Sequence, residues 1–279
     1  GVHGGFVVIT ADDPGMHSSQ NEQDNRYLAK FAKIPMLEPS DSQEAKEYVK
    51  IAFDMSEQFD IPVFLRTTTR TSHSKSVVEM GEADRKLPKK YKHDPAKHVV
   101  PIYGKRLRQN VDDRLKKLEE FGETFPLNTI EWRSKEIGVI TSGISYQYTK
   151  EIFGNASILK LGMAYPMPKR MLIDFCSQVE KIYVIEELEP FIEEHLRIIG
   201  VKNSRGENTI IGKDAVPNMF ELSPDILRKS LFAEDGLNCF ESEISVPLRP
   251  PVMCPGCPHS GVYYALHKLK AVVTGDIGC

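Results

Sequence analysis

The sequence predicts a multidomain α/β protein with parallel sheets flanked by helices. Short apolar, β-branched runs alternate with longer segments of helical period, as in strands joined by right-handed crossovers. At 279 residues and 41% hydrophobic content, the chain is long enough to bury more than one core. Charged and Pro-bearing stretches interrupt the alternation twice, as connectors between domains do.

FVVITA, residues 6–11, is an apolar run suited to a strand buried on both faces. DDPGMHSSQNEQDNR follows, polar and carrying Pro14-Gly15, and leads into a helix expected around Glu22 to Ala32. Ser40 and Gln43 have capping-box spacing ahead of Ala45, Val49, Ala52, Phe53 and Phe59, whose steps of three and four keep one helix face buried. IPVFLRTTT, residues 61–69, reads as another buried strand. Between about 75 and 131 charged sequence gives way to a helix with Leu107, Val111, Leu115 and Leu118 inward. The alternation resumes over 137–200 as IGVIT, a helix near 145–153, SILKLG, a helix near 169–177, KIYVIEE and a helix from about 189. Residues 201–250 are loop-rich and end in VPLRPP, where Pro247, Pro250 and Pro251 restrict the backbone as linkers do. A further domain is expected to begin near Met253.

A net charge of −3 gives no basic field to hold nucleic acid or an anionic membrane. No apolar run approaches the ~20 residues of a membrane-spanning helix, and the first residues lack a signal peptide's basic and apolar regions. A cytoplasmic protein is expected. Five cysteines, an odd number with one close pair, point to free thiols in a reducing compartment. Starting at Gly1 and stopping at Cys279, the sequence is expected to be part of a longer protein.

Cys254-Pro255-Gly256-Cys257 with His259 admits several readings. A zinc site would take these three ligands with Cys279 as a distant fourth, but the usual second close pair is missing. An iron–sulfur cluster needs a tighter cysteine run. A thioredoxin-type pair wants a strand before it, where the sequence has Pro-rich linker. A structural thiol pair without chemistry stays open. AVVTGDIGC, the last nine residues, is an apolar strand ending in Gly275-Asp276-Ile277-Gly278. Such glycines let backbone N–H groups approach a phosphate, or simply make a turn. The string lacks the G-x-G-x-x-G fingerprint of nicotinamide cofactors. The polar loop after the first strand suits contact with a polar ligand or a solvated cap. Arg66 and Arg70 suit a carboxylate, or the surface.

Taken together, ADDPGMHSSQNEQDNR, PMLEPSDSQEA, PVFLRTTTRTSHS, TSGISY, CPGCPHSG and TGDIGC, in that order from residue 11 to 279, resemble the thiamine-diphosphate-dependent 2-oxoacid:ferredoxin oxidoreductases, over essentially the whole chain. The long polar run is similar to the alpha subunits of the indolepyruvate branch. The resemblance implies thiamine diphosphate-binding fold halves plus a transketolase C-terminal-like domain. It implies these boundaries: 1–75 as the C-terminal half of the pyrimidine-binding domain, 76–134 as connector, 135–200 as the transketolase C-terminal-like domain, 201–251 as linker region, and 252–279 as the start of the diphosphate-binding domain. It also implies that Cys254, Gly256, Cys257, His259, Gly275, Asp276, Gly278 and Cys279 line the cofactor pocket and that Ser18, Ser19, Gln20 and Asn21 face substrate. No metal ligand is expected in this stretch: the Mg2+ motif belongs beyond Cys279, as do the [4Fe-4S] clusters, and the glutamate that activates the cofactor belongs before Gly1. The stretch alone is therefore expected to be inactive. The intact enzyme would oxidatively decarboxylate an aryl 2-oxoacid such as indolepyruvate, form an acyl-CoA with coenzyme A, and reduce ferredoxin. Its expected partners are a beta subunit and a second copy in a dimeric core. A pyruvate or branched-chain oxoacid as substrate, and a Cys/His zinc or thiol scaffold without catalysis, are the alternatives.

Overall fold

A computed structural model of the chain describes residues 2, 4–82, 90, 93–234, 244–245, 247 and 253–273. It divides into two units, Gly1–Gly236 and Leu237–Cys279.

The first unit opens with strand β1 (Val7–Asp12), helix α1 (Asn25–Ala32), β2 (Met36–Leu37), α2 (Ser42–Phe59), β3 (Val63–Thr68) and the short α3 (Thr69–His73). A 3-10 turn at Pro95–Lys97 precedes α4 (Pro101–Gly122). Then come β4 (Thr129–Glu131), β5 (Ser134–Ser142), α5 (Ser145–Ile152), β6 (Ala156–Leu161), β7 (Met163–Tyr165), α6 (Lys169–Cys176), β8 (Lys181–Ile185), α7 (Phe191–Ile199), β9 (Ile210–Ile211) and α8 (Pro224–Phe232). One sheet has the order β1-β3-β2-β7, the other β4-β6-β5-β8-β9. All pairings are parallel except β2 with β7 and β4 with β6. The parallel α/β class expected from the alternation of apolar runs is the one observed.

Three details differ from the sequence reading. β1 lies at a sheet edge and pairs with β3 from Val7↔Val63 to Asp12↔Thr68, leaving Ile9 68% exposed; it is not buried on both faces. Helix α1 starts at Asn25, because the Asp24 side chain accepts from the Arg26 N–H at its N-terminus. Glu22 instead ties the loop, accepting from the N–H groups of Gly15 at 2.7 Å and Phe220 at 2.9 Å. The capping box of α2 is Asp41 with Glu44, one residue later than expected: Asp41 Oδ1 accepts from the Glu44 N–H at 2.9 Å, and Glu44 Oε2 accepts from the Ser40 N–H at 2.8 Å. The buried stripe of α2 shifts accordingly to Tyr48, Ala52 and Met55, while Phe53 is 45% exposed.

The core beneath α2 joins Tyr48, Ala52 and Met55 to Val63 and Leu65 of β3 and Leu118 of α4. A larger core packs Ile140, Leu159, Leu161, Phe175, Val184 and Leu196 between the second sheet and helices α6 and α7. Each such side chain contributes roughly 1.5–3 kcal/mol by leaving water. The sheets are joined by the chain itself: after β6 it passes Gly162 and enters the first sheet as β7. A Cβ at Gly162 would stand 2.5 Å from the Leu127 carbonyl oxygen, so this crossing requires glycine.

In the second unit, a turn from Cys254 to Cys257 leads into α9 (His259–Lys268), which buries none of its residues.

Candidate functional site

The carboxyl ends of β3 and β5, one from each sheet, meet at Glu38, just past β2. Glu38 Oε1 accepts from Arg66 Nη1 at 3.0 Å, and its Oε2 accepts from the Ser142 hydroxyl at 2.5 Å. Ligands of parallel α/β sheets gather at such carboxyl ends. Arg66 also donates from Nε to Asp12 Oδ2 at 2.5 Å. Arg26, on the first turn of α1, reaches across to the end of β8. It donates from Nη1 to Glu186 Oε2 at 2.6 Å, and from Nη2 to the backbone carbonyls of Glu187 at 2.8 Å and Glu189 at 3.0 Å. Asp24 completes the fork, accepting from Arg26 Nε at 2.8 Å. Glu186 in turn accepts from the Ile192 and Glu193 N–H groups at the start of α7, at 2.9 Å and 3.1 Å, where the helix dipole favours an anion.

Acidic groups outnumber the two guanidinium groups in this junction, and their titration follows. Burial pushes the carboxyls of Asp12 and Glu186 upward despite Arg66 and Arg26 beside them. Glu187, which accepts from the Leu222 N–H at 3.2 Å, is pushed by burial to about 7. Burial likewise pulls the Lys213 amine down to about 8. Burial opposes ionisation of Asp13, but the Thr69 hydroxyl and the N–H groups of Ser18 and Ser19 outweigh it and hold the carboxyl well below its usual range.

Between the sheets a cavity of about 10 Å3 is lined by Arg26, Glu38, Arg66, Thr68, Ser142 and Glu187, among others. That volume holds roughly one water. On its lining Arg66 Nη2 and Thr68 Oγ1 are buried without a hydrogen-bond partner, as is Asp12 Oδ1 beside Arg66.

The expected substrate-facing residues lie on the loop after β1. The N–H groups of Ser18 and Ser19 donate to Asp13 Oδ2 at 2.6 Å and 2.7 Å; Gln20 and Asn21 are exposed. Both arginines weighed in the sequence hold carboxylates of this chain. Arg66 takes Asp12 and Glu38, and Arg70 takes Glu221, which also lies 3.1 Å from His17 Nε2. The junction residues Arg26, Glu38, Glu186 and Glu187 were not singled out in the sequence. Their signal is an arginine inside the polar run and two acids directly after the apolar IYVI.

In the second unit the Cys257 N–H donates to the Cys254 carbonyl at 3.0 Å, and Gly256 takes φ +77°. Cys257 Sγ lies 3.4 Å from His259 Nδ1. A Cβ on Gly256 would meet nothing within 4 Å, so the positive φ, not close packing, is what calls for glycine at this turn. Among the described residues no three His, Cys, Asp or Glu side chains converge to hold a metal ion. Gly275, Asp276, Gly278 and Cys279 lie outside the described residues. No described helix is long and apolar enough to cross a membrane.

No family model matches the chain. The fold resembles that of a 2-oxoglutarate:ferredoxin oxidoreductase from Magnetococcus marinus, solved with 2-oxoglutarate, coenzyme A and succinyl-CoA bound. That likeness has a TM-score of 0.55 at 12% identity, over 80% of this chain and 47% of that one. In sequence, all of the chain matches the indolepyruvate oxidoreductase subunit IorA of Archaeoglobus fulgidus at 38% identity, covering 48% of that relative. The subunit of the same name from Thermococcus kodakarensis matches at 39% over 47% of its length. The chain is thus homologous, along its entire length, to the IorA subunits of indolepyruvate oxidoreductase, and it spans about half the length of those curated relatives.

Proposed function

We propose that this chain is part of a thiamine-diphosphate-dependent oxidoreductase that oxidatively decarboxylates aryl 2-oxoacids, indolepyruvate foremost, to acyl-CoA with ferredoxin as electron acceptor. The observation that carries the reading is the 38% identity to IorA subunits over the whole chain. The fold likeness to a 2-oxoacid oxidoreductase agrees with it.

When bound, thiamine diphosphate supplies a nucleophilic carbon for the keto group and an electron sink for loss of CO2. In this reading the residues of the chain bind and orient. Gly256, at the turn before α9, would admit the diphosphate. Cys254, Cys257 and His259, and by the same resemblance Gly275, Asp276, Gly278 and Cys279, are assigned to the cofactor pocket. Ser18, Ser19, Gln20 and Asn21 face the oxoacid from the loop that Asp13 braces. In this reading segments 1–75 and 252–279 belong to the pyrimidine-binding and diphosphate-binding domains, and 135–200 to the transketolase C-terminal-like domain. Mg2+, [4Fe-4S] clusters, the beta subunit and a second copy complete a cytoplasmic enzyme.

The test is to prepare the intact complex anaerobically with Cys254→Ser or Cys257→Ser and assay oxoacid-dependent viologen reduction. Iron, zinc and bound thiamine diphosphate are measured in parallel. The expected outcome is lower turnover or cofactor occupancy with iron and zinc unchanged. A loss of metal paired with each substitution would sink the reading in favour of a metal-holding scaffold, since removing one of four ligands costs much of the binding free energy. Faster turnover of pyruvate or a branched-chain oxoacid than of indolepyruvate would move the substrate assignment.

A further inference from the structure

A second cleft in the first unit shares no lining residue with the cavity at the strand ends. Its volume is about 140 Å3, and Leu115, Tyr165, Pro166, Met167 and Phe191 form its apolar walls. The polar lining comes from Lys30 of α1, Glu119 of α4 and His195 of α7.

The volume decides what enters. One water needs roughly 10–15 Å3, so the space is larger than a single bridging water requires. Drug-sized pockets begin at roughly 300 Å3, so the occupant is small. The walls favour a ring: Tyr27 braces Phe191 edge-on with centroids 5.2 Å apart, and Lys30 Nζ stands 5.7 Å from the centre of the Phe191 ring.

His195 Nε2 is buried and has no hydrogen-bond partner. The ring is neutral at pH 7, because burial, reinforced by Lys30 and Lys169, pushes it down to about 4. A buried polar atom without a partner is costly, and a ligand that pairs it recovers that cost. The neutral ring can carry its proton on Nε2, and that N–H with the Lys30 cation on the same lining suits an anionic oxygen pair. We propose that this cleft binds a small aryl-bearing carboxylate, its ring against Tyr165, Met167 and Phe191 and its oxygens taken by Lys30 Nζ and His195 Nε2. This site does not rest on the proposed reaction.

Two sources share that chemistry, an aryl 2-oxoacid and an aromatic amino acid. Glu119, close enough to the half-buried Tyr165 phenol to help raise it, offers an acceptor that an α-ammonium uses and a keto group does not. The charged groups around His195 are Lys30 from α1, Lys169 at the start of α6, Glu119 from α4, and Glu194 on its own helix, which accepts from the Tyr27 hydroxyl at 3.1 Å. An anion in the cleft offsets the two lysines and raises the His195 pKa, so affinity strengthens as pH falls.

The test is calorimetry on the full-length subunit with 3-phenylpropionate, which has no keto group to react, and with L-phenylalanine, using phenethylamine as control. Lys30 is exposed, so Lys30→Gln keeps the fold and is expected to weaken both acids about tenfold, the worth of one charge-assisted hydrogen bond. Leu115→Trp fills the cleft and should abolish binding. Binding of 3-phenylpropionate is expected to strengthen as pH falls from 7.5 to 5, and His195→Phe should remove that dependence. Tighter binding of L-phenylalanine assigns the amino acid, and weaker binding the oxoacid; either order supports the site. No heat from either acid at millimolar concentration, or binding untouched by both Lys30→Gln and Leu115→Trp, would overturn it.

Discussion

Arg26 and Cys257 both belong to short polar motifs, NEQDNR and CPGCPH, yet their surroundings are opposite. Arg26 is 1% exposed, and its fork is taken by Asp24, Glu186 and the carbonyls of Glu187 and Glu189. Cys254 is exposed, Cys257 is half-buried, and the helix that follows them buries nothing. The first region is held in shape by its own chain. Among the described residues, the second has local turn geometry and little packing. Substitutions in the two regions should therefore differ in kind.

The largest effect is expected from Arg26→Met, which leaves Glu186 and Asp24 buried without their cation. Breaking a buried pair in this way costs about 3–5 kcal/mol, a fall in Tm of roughly 10 °C for a unit of this size. Thermal unfolding by circular dichroism reads it. A shift under about 2 °C would mean that the junction is no better braced than the turn.

Glu187→Gln tests the braced junction through pH. The folded pKa of Glu187, about 7, lies above its ordinary 4.5, so the folded chain binds this proton more tightly than the unfolded chain. That stabilisation is complete below pH 4.5 and is lost as pH rises through 7. The amide stays neutral throughout, so the variant should exceed the parent by about 1–3 kcal/mol at pH 8 and match it near pH 5. Urea unfolding at the two pH values measures this. An equal difference at both would show that Glu187 does not titrate near neutrality.

The smallest effect belongs to the turn. Cys254→Ser should change stability by no more than about 0.5 kcal/mol, as exposed positions do, and the same unfolding experiment reads it. A large loss would show packing around the turn that the comparison denies.

The sequence made the fold legible where period and propensity suffice. The buried runs at 63–68, 156–161 and 181–185 became strands, and the helices between them formed where expected. It misled where the deciding partner is remote. The run beginning at Phe6 reads as fully buried because its residues are apolar, but burial depends on neighbours, and β1 has a described partner on one side, β3. The capping box slipped by one residue because Ser40-Gln43 and Asp41-Glu44 have equal spacing, and the carboxylates make the stronger bonds. The polar loop and, of the candidate site's arginines, Arg66 were visible. Arg26 to Glu186 was not, because the two are 160 residues apart, and no local pattern records that pairing.

Helix α1 has a further consequence, a kinetic one. Arg26 and Lys30 are four residues apart and so share one side of an eight-residue helix. One anchors the strand-end junction, and the other reaches the cleft beside His195. Any entry route to that cleft that required α1 to swing would first have to break the Arg26 pairs. An occupant must therefore come and go past a stationary α1, with side-chain rotation and water displacement setting the rate. Binding there should proceed in a single fast phase, and the cleft should select its guest by fit to a fixed wall.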